Sequence, residues 1–192
     1  MSLILLYLKK MIIYMLLFIP IYLIIRLVYI KKKNKSIKLI NELILMFFCI
    51  YCWGVVSQTI IPNWSMGIIS ETGEFYFNIN MSNSLAKINI IPFKTLYEQI
   101  FTNNLNVSTW KKVSVLNICA NIFLFIPFGF FIHVMCKNSI NTKQVIIISL
   151  ITTLIIEVIQ YIIGRSADID DIILNTIGVL SGYLTTKYYI KK

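Results

Sequence analysis

The 192-residue chain is 58% hydrophobic and only 14% charged, a balance that excludes an ordinary soluble domain and predicts one integral membrane domain over residues 1–192. Its formal net charge of +10 does not point to nucleic acid, because no basic stripe is interleaved with stacking aromatics. The lysines instead sit beside apolar runs (Lys9, Lys10; Lys31, Lys32, Lys33, Lys35, Lys38; Lys187, Lys191, Lys192), as juxtamembrane anchors facing anionic lipid do.

A spanning helix needs ~20 mainly apolar residues, and five segments meet or approach this: Met11 to Ile30, Leu39 to Ile61, Val113 to Cys136, Gln144 to Ile163 and Ile169 to Tyr189. The predicted fold class is an all-α polytopic membrane protein with about five transmembrane helices. The fifth begins with acids and closes on Tyr188 and Tyr189, so its apolar core is short. Arg26 and a lysine cluster close the first segment where a signal peptide would carry small residues, which predicts a retained anchor. Arg26 and Glu42 lie near helix ends, where snorkelling or the lysine cluster satisfies them. Cys49 and Cys52 form a C-x-x-C pattern within the second segment, and Cys119 and Cys136 lie in the third. Without polar access or further ligands these read as buried thiols, and neither a metal nor a cofactor is expected.

The basic Lys31 to Lys38 loop, Lys137 to Lys143 loop and Lys187 to Lys192 tail fall on one side, which the positive-inside rule makes cytoplasmic. The chain is thus expected in a cell membrane with its N-terminus outside and its C-terminus cytoplasmic, although Lys9, Lys10, Lys111 and Lys112 lie against that bias. Residues 62–112 then form an extracellular loop. Within it, apolar residues alternate around a Thr72-Gly73 turn between Ser65 and Met81, which predicts a β-hairpin. Pro92 can open a short helix whose Phe93, Leu96, Tyr97, Ile100 and Phe101 share one face, lying either in the headgroup layer or as a lid on the spans.

The strongly polar chemistry gathers between residues 117 and 178. Asn117 and Asn121 are one turn apart, ~6 Å along the third span. Glu157 and Gln160 lie within ~9 Å of the outer end of the fourth. Asp168, Asp171, Asn175, Gly178 and Gly182 follow spacings of three and four at the start of the fifth. These groups converge on the outer leaflet as a polar cleft, with Arg165 in the turn after Gly164. The expected ligand-binding set is Asn117, Asn121, Glu157, Gln160, Arg165, Asp168, Asp171 and Asn175. Glu157 and Asp171 are the candidates for an acid or base, with no nucleophile or metal-ligand pattern beside them. The alternative stays open: interhelical hydrogen bonds for the amides, and helix N-terminal positions for Asp168, Asp170 and Asp171. His133 lies too deep to join the set and is expected to pack between helices. Gly178 and Gly182 form a G-x-x-x-G pattern that permits close helix approach.

Three pieces, Asn89-Ile-Ile-Pro92-Phe93, Asn121-Ile-Phe-Leu-Phe-Ile-Pro127-Phe128-Gly129, and Glu157-x-x-Gln160 continuing through Arg165, Asp168, Asp171, Asn175, Gly178 and Gly182-Tyr183, resemble in order the VanZ-like family of small bacterial membrane proteins. The matching region is about 89–186. The resemblance implies a polytopic protein that lowers susceptibility to the acylated glycopeptide teicoplanin without remaking the cell-wall precursor terminus; it carries no settled catalytic residues. The expected function is engagement of a lipidated or lipid-linked molecule in the outer-leaflet cleft, with membrane lipid, teicoplanin or a lipid-linked wall precursor as partner. Arg165 is expected to meet an anionic group and Asp168 and Asp171 to shape the rim or hold a cationic group. Two alternatives are an enzyme modifying a lipid-linked envelope precursor, and a small lipid transporter or flippase hinged at Pro127 and Gly129.

Overall fold

A computed structural model describes residues 3–33, 38–68, 74–80, 88–102, 110–136 and 139–190. The helices are α1 (Leu3–Lys33), α2 (Leu39–Thr59), α3 (Lys94–Phe101), α4 (Trp110–Cys136), α5 (Thr142–Ile162) and α6 (Ile169–Ile190). The strands are β1 (Asn63–Ile68), β2 (Phe75–Asn80), β3 (Ile88–Asn89) and β4 (Ala167–Asp168). Among the described residues, four helices are long and apolar enough to cross a membrane: α1, α2, α4 and α5. The molecule is a helical membrane protein. The acid-bearing α6 is not among those four, although its 22 residues give it the length.

Two helix sets build the bundle. α1 and α2 form an antiparallel pair: Phe18 stacks on Trp53 at 4.9 Å, and Gly54 lets Met11 and Met15 approach. At its far end the Arg26 guanidinium donates to both carboxylate oxygens of Glu42 at 2.6 Å, so these charges answer each other rather than the lysine cluster. α4 and α6 run parallel and close, with α5 returning between them in sequence. A Cβ on Gly129 would meet the Val179 carbonyl oxygen at 1.9 Å; on Gly178 it would meet that of Ile122 at 2.3 Å, and on Gly182 that of Ile126 at 1.9 Å. Only glycine permits this backbone contact. Gly129 is thus a packing position against α6, where the sequence offered it as a hinge.

The core closes around Tyr51, Val55, Phe125, Ile132, Val145, Ile156, Val179 and Tyr183. Two buried phenols tie its parts: Tyr51 donates to the Leu124 carbonyl at 2.6 Å and Tyr183 to that of Ile140 at 3.0 Å. His133 is buried edge-on to Tyr183, a packing position between helices. All four cysteines are free.

The connection from α2 to α4 contains an antiparallel ladder pairing β1 with β2 from Asn63↔Asn80 to Ile68↔Phe75. The Thr72-Gly73 turn lies outside the described residues, as do parts of the basic connections. After Pro92 the helix begins at Lys94 rather than at the proline, because Phe93 takes a left-handed conformation (φ 65°) that turns the chain before the first helical turn. None of α3 is buried, and Phe93, Tyr97, Ile100 and Phe101 are exposed, so its apolar face looks away from the spans.

Candidate functional site

The inward face of α5 carries a polar stripe, with Val145 and Ile156 buried beside it. Ser149, Thr153, Glu157 and Gln160 are all buried, and the hydroxyls of Ser149 and Thr153 return to carbonyls of their own helix. That solution is open to a short hydroxyl but not to a carboxylate or an amide, which must find partners elsewhere. Gln160 donates through Nε2 to the Thr59 carbonyl at 2.9 Å, and the Arg165 guanidinium donates to the same oxygen at 2.6 Å. The last carbonyls of a helix lack intrahelical donors and carry the negative end of its dipole. Arg165 and Gln160 thus fasten the α5–α6 turn to the end of α2.

Gly164 (φ 83°) breaks α5 and sends the chain into β4, which pairs in parallel with β3 as Ile88↔Ala167 and Asn89↔Asp168. Here the acids divide the work. The Asp168 amide donates to Glu157 Oε2 at 2.9 Å, while Asp168 Oδ1 accepts from the Asp170 amide at 2.9 Å and from Asn89 Nδ2 at 3.0 Å. Asp168 is thus the N-cap of α6 and the anchor of β3. Asp170, only 1% exposed, accepts from the amides of Phe93 at 2.6 Å and Leu96 at 3.0 Å, pinning the start of α3. Asp171 accepts from Asn121 Nδ2 of α4 at 2.6 Å.

Of the expected set, Asn121, Glu157, Gln160, Arg165, Asp168 and Asp171 meet at one end of the bundle. Asn175 is buried deeper, its Oδ1 without a hydrogen-bond partner among the described residues. Asn117 is exposed, one helical turn before Asn121 on α4. The predicted shared face of Asp171, Gly178 and Gly182 is turned to α4, and serves helix packing. Asp170 and Asn89, outside the expected set, prove central. Asp170 is off the face that the other acids share, and its partners are distant in sequence; Asn89 was visible only within the Asn89-Ile-Ile-Pro92-Phe93 piece.

A groove of about 290 Å³ opens beside this network. Its walls are Ile88 and Ile90 from the β3 segment, Leu154, Val158 and Tyr161 of α5, and Ile172 of α6; Asn89, Glu157 and Asp168 also border it, but its accessible surface is apolar. Leu154, Val158 and Tyr161 are exposed on the outer face of α5, whereas Glu157 is 3% exposed. The groove therefore lies along the exposed flank of α5, with the Glu157 carboxylate buried beside it. None of Glu157, Asp168, Asp170 and Asp171 makes an ion pair among the described residues, where the Arg26–Glu42 bridge lies elsewhere in the fold. No group of three His, Cys, Asp or Glu among the described residues is placed to hold a metal ion.

The fold and this end-on polar network define a small helical membrane protein with an apolar groove beside a cluster of buried acids. The VanZ/LLP1 family model matches residues 48–190, and the chain belongs to that family. The match spans the later half of α2, the β1–β2 ladder and every residue of the polar network, beginning well before Asn89. Comparison with curated proteins and with solved structures gives no match.

Proposed function

We propose that this VanZ-like protein lowers susceptibility to teicoplanin by engaging a lipidated or lipid-linked molecule in the groove between α5 and the β3 segment. The observation that carries this is the position of Glu157: a carboxylate buried beside an apolar groove on the exposed flank of a long apolar helix. Charge so placed is costly and calls for a functional explanation. Apolar walls suit the hydrocarbon part of an amphiphile that arrives sideways from the bilayer.

In this scheme α6 is a fifth span, held across the membrane by its close parallel contact with α4. The β1–β2 ladder, α3 and the polar network lie outside, the lysine-rich connections inside, and the N-terminus outside. Arg165, engaged with the Thr59 carbonyl, fixes the turn above the groove.

The test is the teicoplanin inhibitory concentration, beside that of vancomycin, in a sensitive Gram-positive host expressing the wild type or Glu157→Gln at matched membrane levels. A rise for teicoplanin that disappears in the variant is expected. A rise that survives would reduce Glu157 to helix packing, and no rise from well-expressed wild type would remove the glycopeptide role.

A further inference from the structure

We propose that α3 and the segment leading into it form a membrane-surface anchor, lying along the bilayer at this end of the bundle with one stripe of side chains set among the acyl chains. The stripe is Tyr97, Ile100 and Phe101, which helical spacing puts on one side, with Phe93 at its start. Each is more than half exposed, and the ring centroids of Tyr97 and Phe101 lie 5.0 Å apart. Lys94 and Glu98, one turn apart and exposed, take the neighbouring edge, while Thr95, Leu96 and Gln99 are partly buried on the inner side. An apolar side flanked by a charged edge is the arrangement of an interfacial helix, which sinks ~5–10 Å into the boundary between headgroups and acyl chains.

Two observations make the bilayer the occupant of this stripe. The first is continuity with a lipid-facing surface. Ile88 and Ile90 border the same apolar groove as Leu154, Val158 and Tyr161, on the exposed flank of a helix long and apolar enough to span. Leu154 to Tyr161 covers ~10 Å of that helix's rise, so the β3 segment lies against the flank of the span and not beyond its end. Ile90 and Ile91, both exposed, carry the apolar surface on to α3. The second observation is where the amides of the segment go. Non-helical chain at bilayer depth is tolerated only where its N–H groups find partners within the protein. Pro92 has none to place. The Ile91 amide donates to Asn89 Oδ1 at 3.2 Å, those of Phe93 and Leu96 to the two Asp170 oxygens at 2.6 and 3.0 Å, and that of Tyr97 to the Phe93 carbonyl at 2.9 Å. Donors that the start of a helix ordinarily leaves to water are thus taken up inside the molecule. Asp170 in this way fits α3 for a poorly hydrated layer as well as pinning it. The anchor stands or falls independently of what the groove takes up.

The full-length protein, with Cys49, Cys52, Cys119 and Cys136 replaced by serine or alanine, carries one nitroxide at a time at Tyr97→Cys, Ile100→Cys, Glu98→Cys or Leu154→Cys. It is reconstituted in vesicles of phosphatidylcholine and phosphatidylglycerol. Collisions with oxygen, which concentrates among acyl chains, are compared with those of a water-soluble nickel chelate. The oxygen-to-nickel ratio at Tyr97 and Ile100 is expected to be several-fold above that at Glu98 and to approach that at Leu154 on the flank of α5. All four positions are exposed, so the label displaces no core side chain, and the helix content by circular dichroism is expected to stay unchanged. Equal ratios at Tyr97, Ile100 and Glu98 would place the stripe in water and overturn the anchor. Few collisions with either reagent at Tyr97 and Ile100 would overturn it as well. Spin–spin broadening that vanishes on dilution with unlabelled protein would then assign the stripe to a second copy of the chain, and its absence would assign it to the molecule's own spans.

Discussion

Asp168, Asp170 and Asp171 look alike in sequence, three acids opening a helix, yet each holds a different part of the molecule. Asp168 caps its own helix and holds β3, Asp171 reaches α4, and Asp170 holds α3. The macrodipole explains why acids are tolerated at this position but not which partner each finds. The partners of Asp170 are backbone amides 74 and 77 residues earlier, a link that local spacing does not carry. Replacing Asp170 with alanine strands two amide donors beside a buried space, a loss of about 1–3 kcal/mol for each such group. Hydrogen exchange at the amides of Phe93 and Leu96 is then expected to quicken by roughly ten-fold or more. Asp170→Asn, which keeps one acceptor, should fall between alanine and wild type. Unchanged exchange in the alanine variant would mean that α3 is held by something other than Asp170.

At the level of elements, the small residues that fix the bundle were visible as a pattern but not as a partnership. G-x-x-x-G at Gly178 and Gly182 announces a close approach, and the structure supplies the other surface: the α4 backbone at Ile122 and Ile126, with Gly129 meeting α6 in return. In the sequence Gly129 sits two residues after Pro127, where a hinge is as natural an assignment, because a glycine's role depends on what lies across from it. Gly182→Ala would place a methyl 1.9 Å from a carbonyl oxygen and force the helices apart. The expected cost is at least the ~1–3 kcal/mol typical of overpacking. Ser181→Ala, one residue along on the exposed side, should stay within about 0.5 kcal/mol. Thermal unfolding in detergent distinguishes them, and equal midpoints would show that the α4–α6 contact adds little to stability. The polar stripe of α5 was likewise only half legible. Glu157 and Gln160 stand out by chemistry, whereas Ser149 and Thr153, at the same four-residue spacing, blend into an apolar run because their hydroxyls are satisfied within the helix.

Over the whole molecule, the end of α2, the turn after α5, the start of α6 and the β3–α3 segment meet at one end, and the Asn141-capped start of α5 lies at the other. Convergence follows from alternating helix directions, which hydropathy does indicate, and so it could be expected from the sequence. Which end faces outward is a separate matter, decided by charge bias. Lys94 on α3 and Asn141 at the opposite end are both exposed and report on it directly. With Cys49, Cys52, Cys119 and Cys136 replaced by serine or alanine, Lys94→Cys is expected to react with an impermeant maleimide on intact cells. Asn141→Cys is expected to react only after permeabilisation. The reverse pattern would place Glu157 and its groove against the inner leaflet, where an amphiphile approaching the cell from outside does not arrive without first crossing the bilayer. The teicoplanin proposal would then fall even if the groove bound lipid as expected, because its ligand chemistry depends on the side chains that line it and its role depends on the leaflet it opens to.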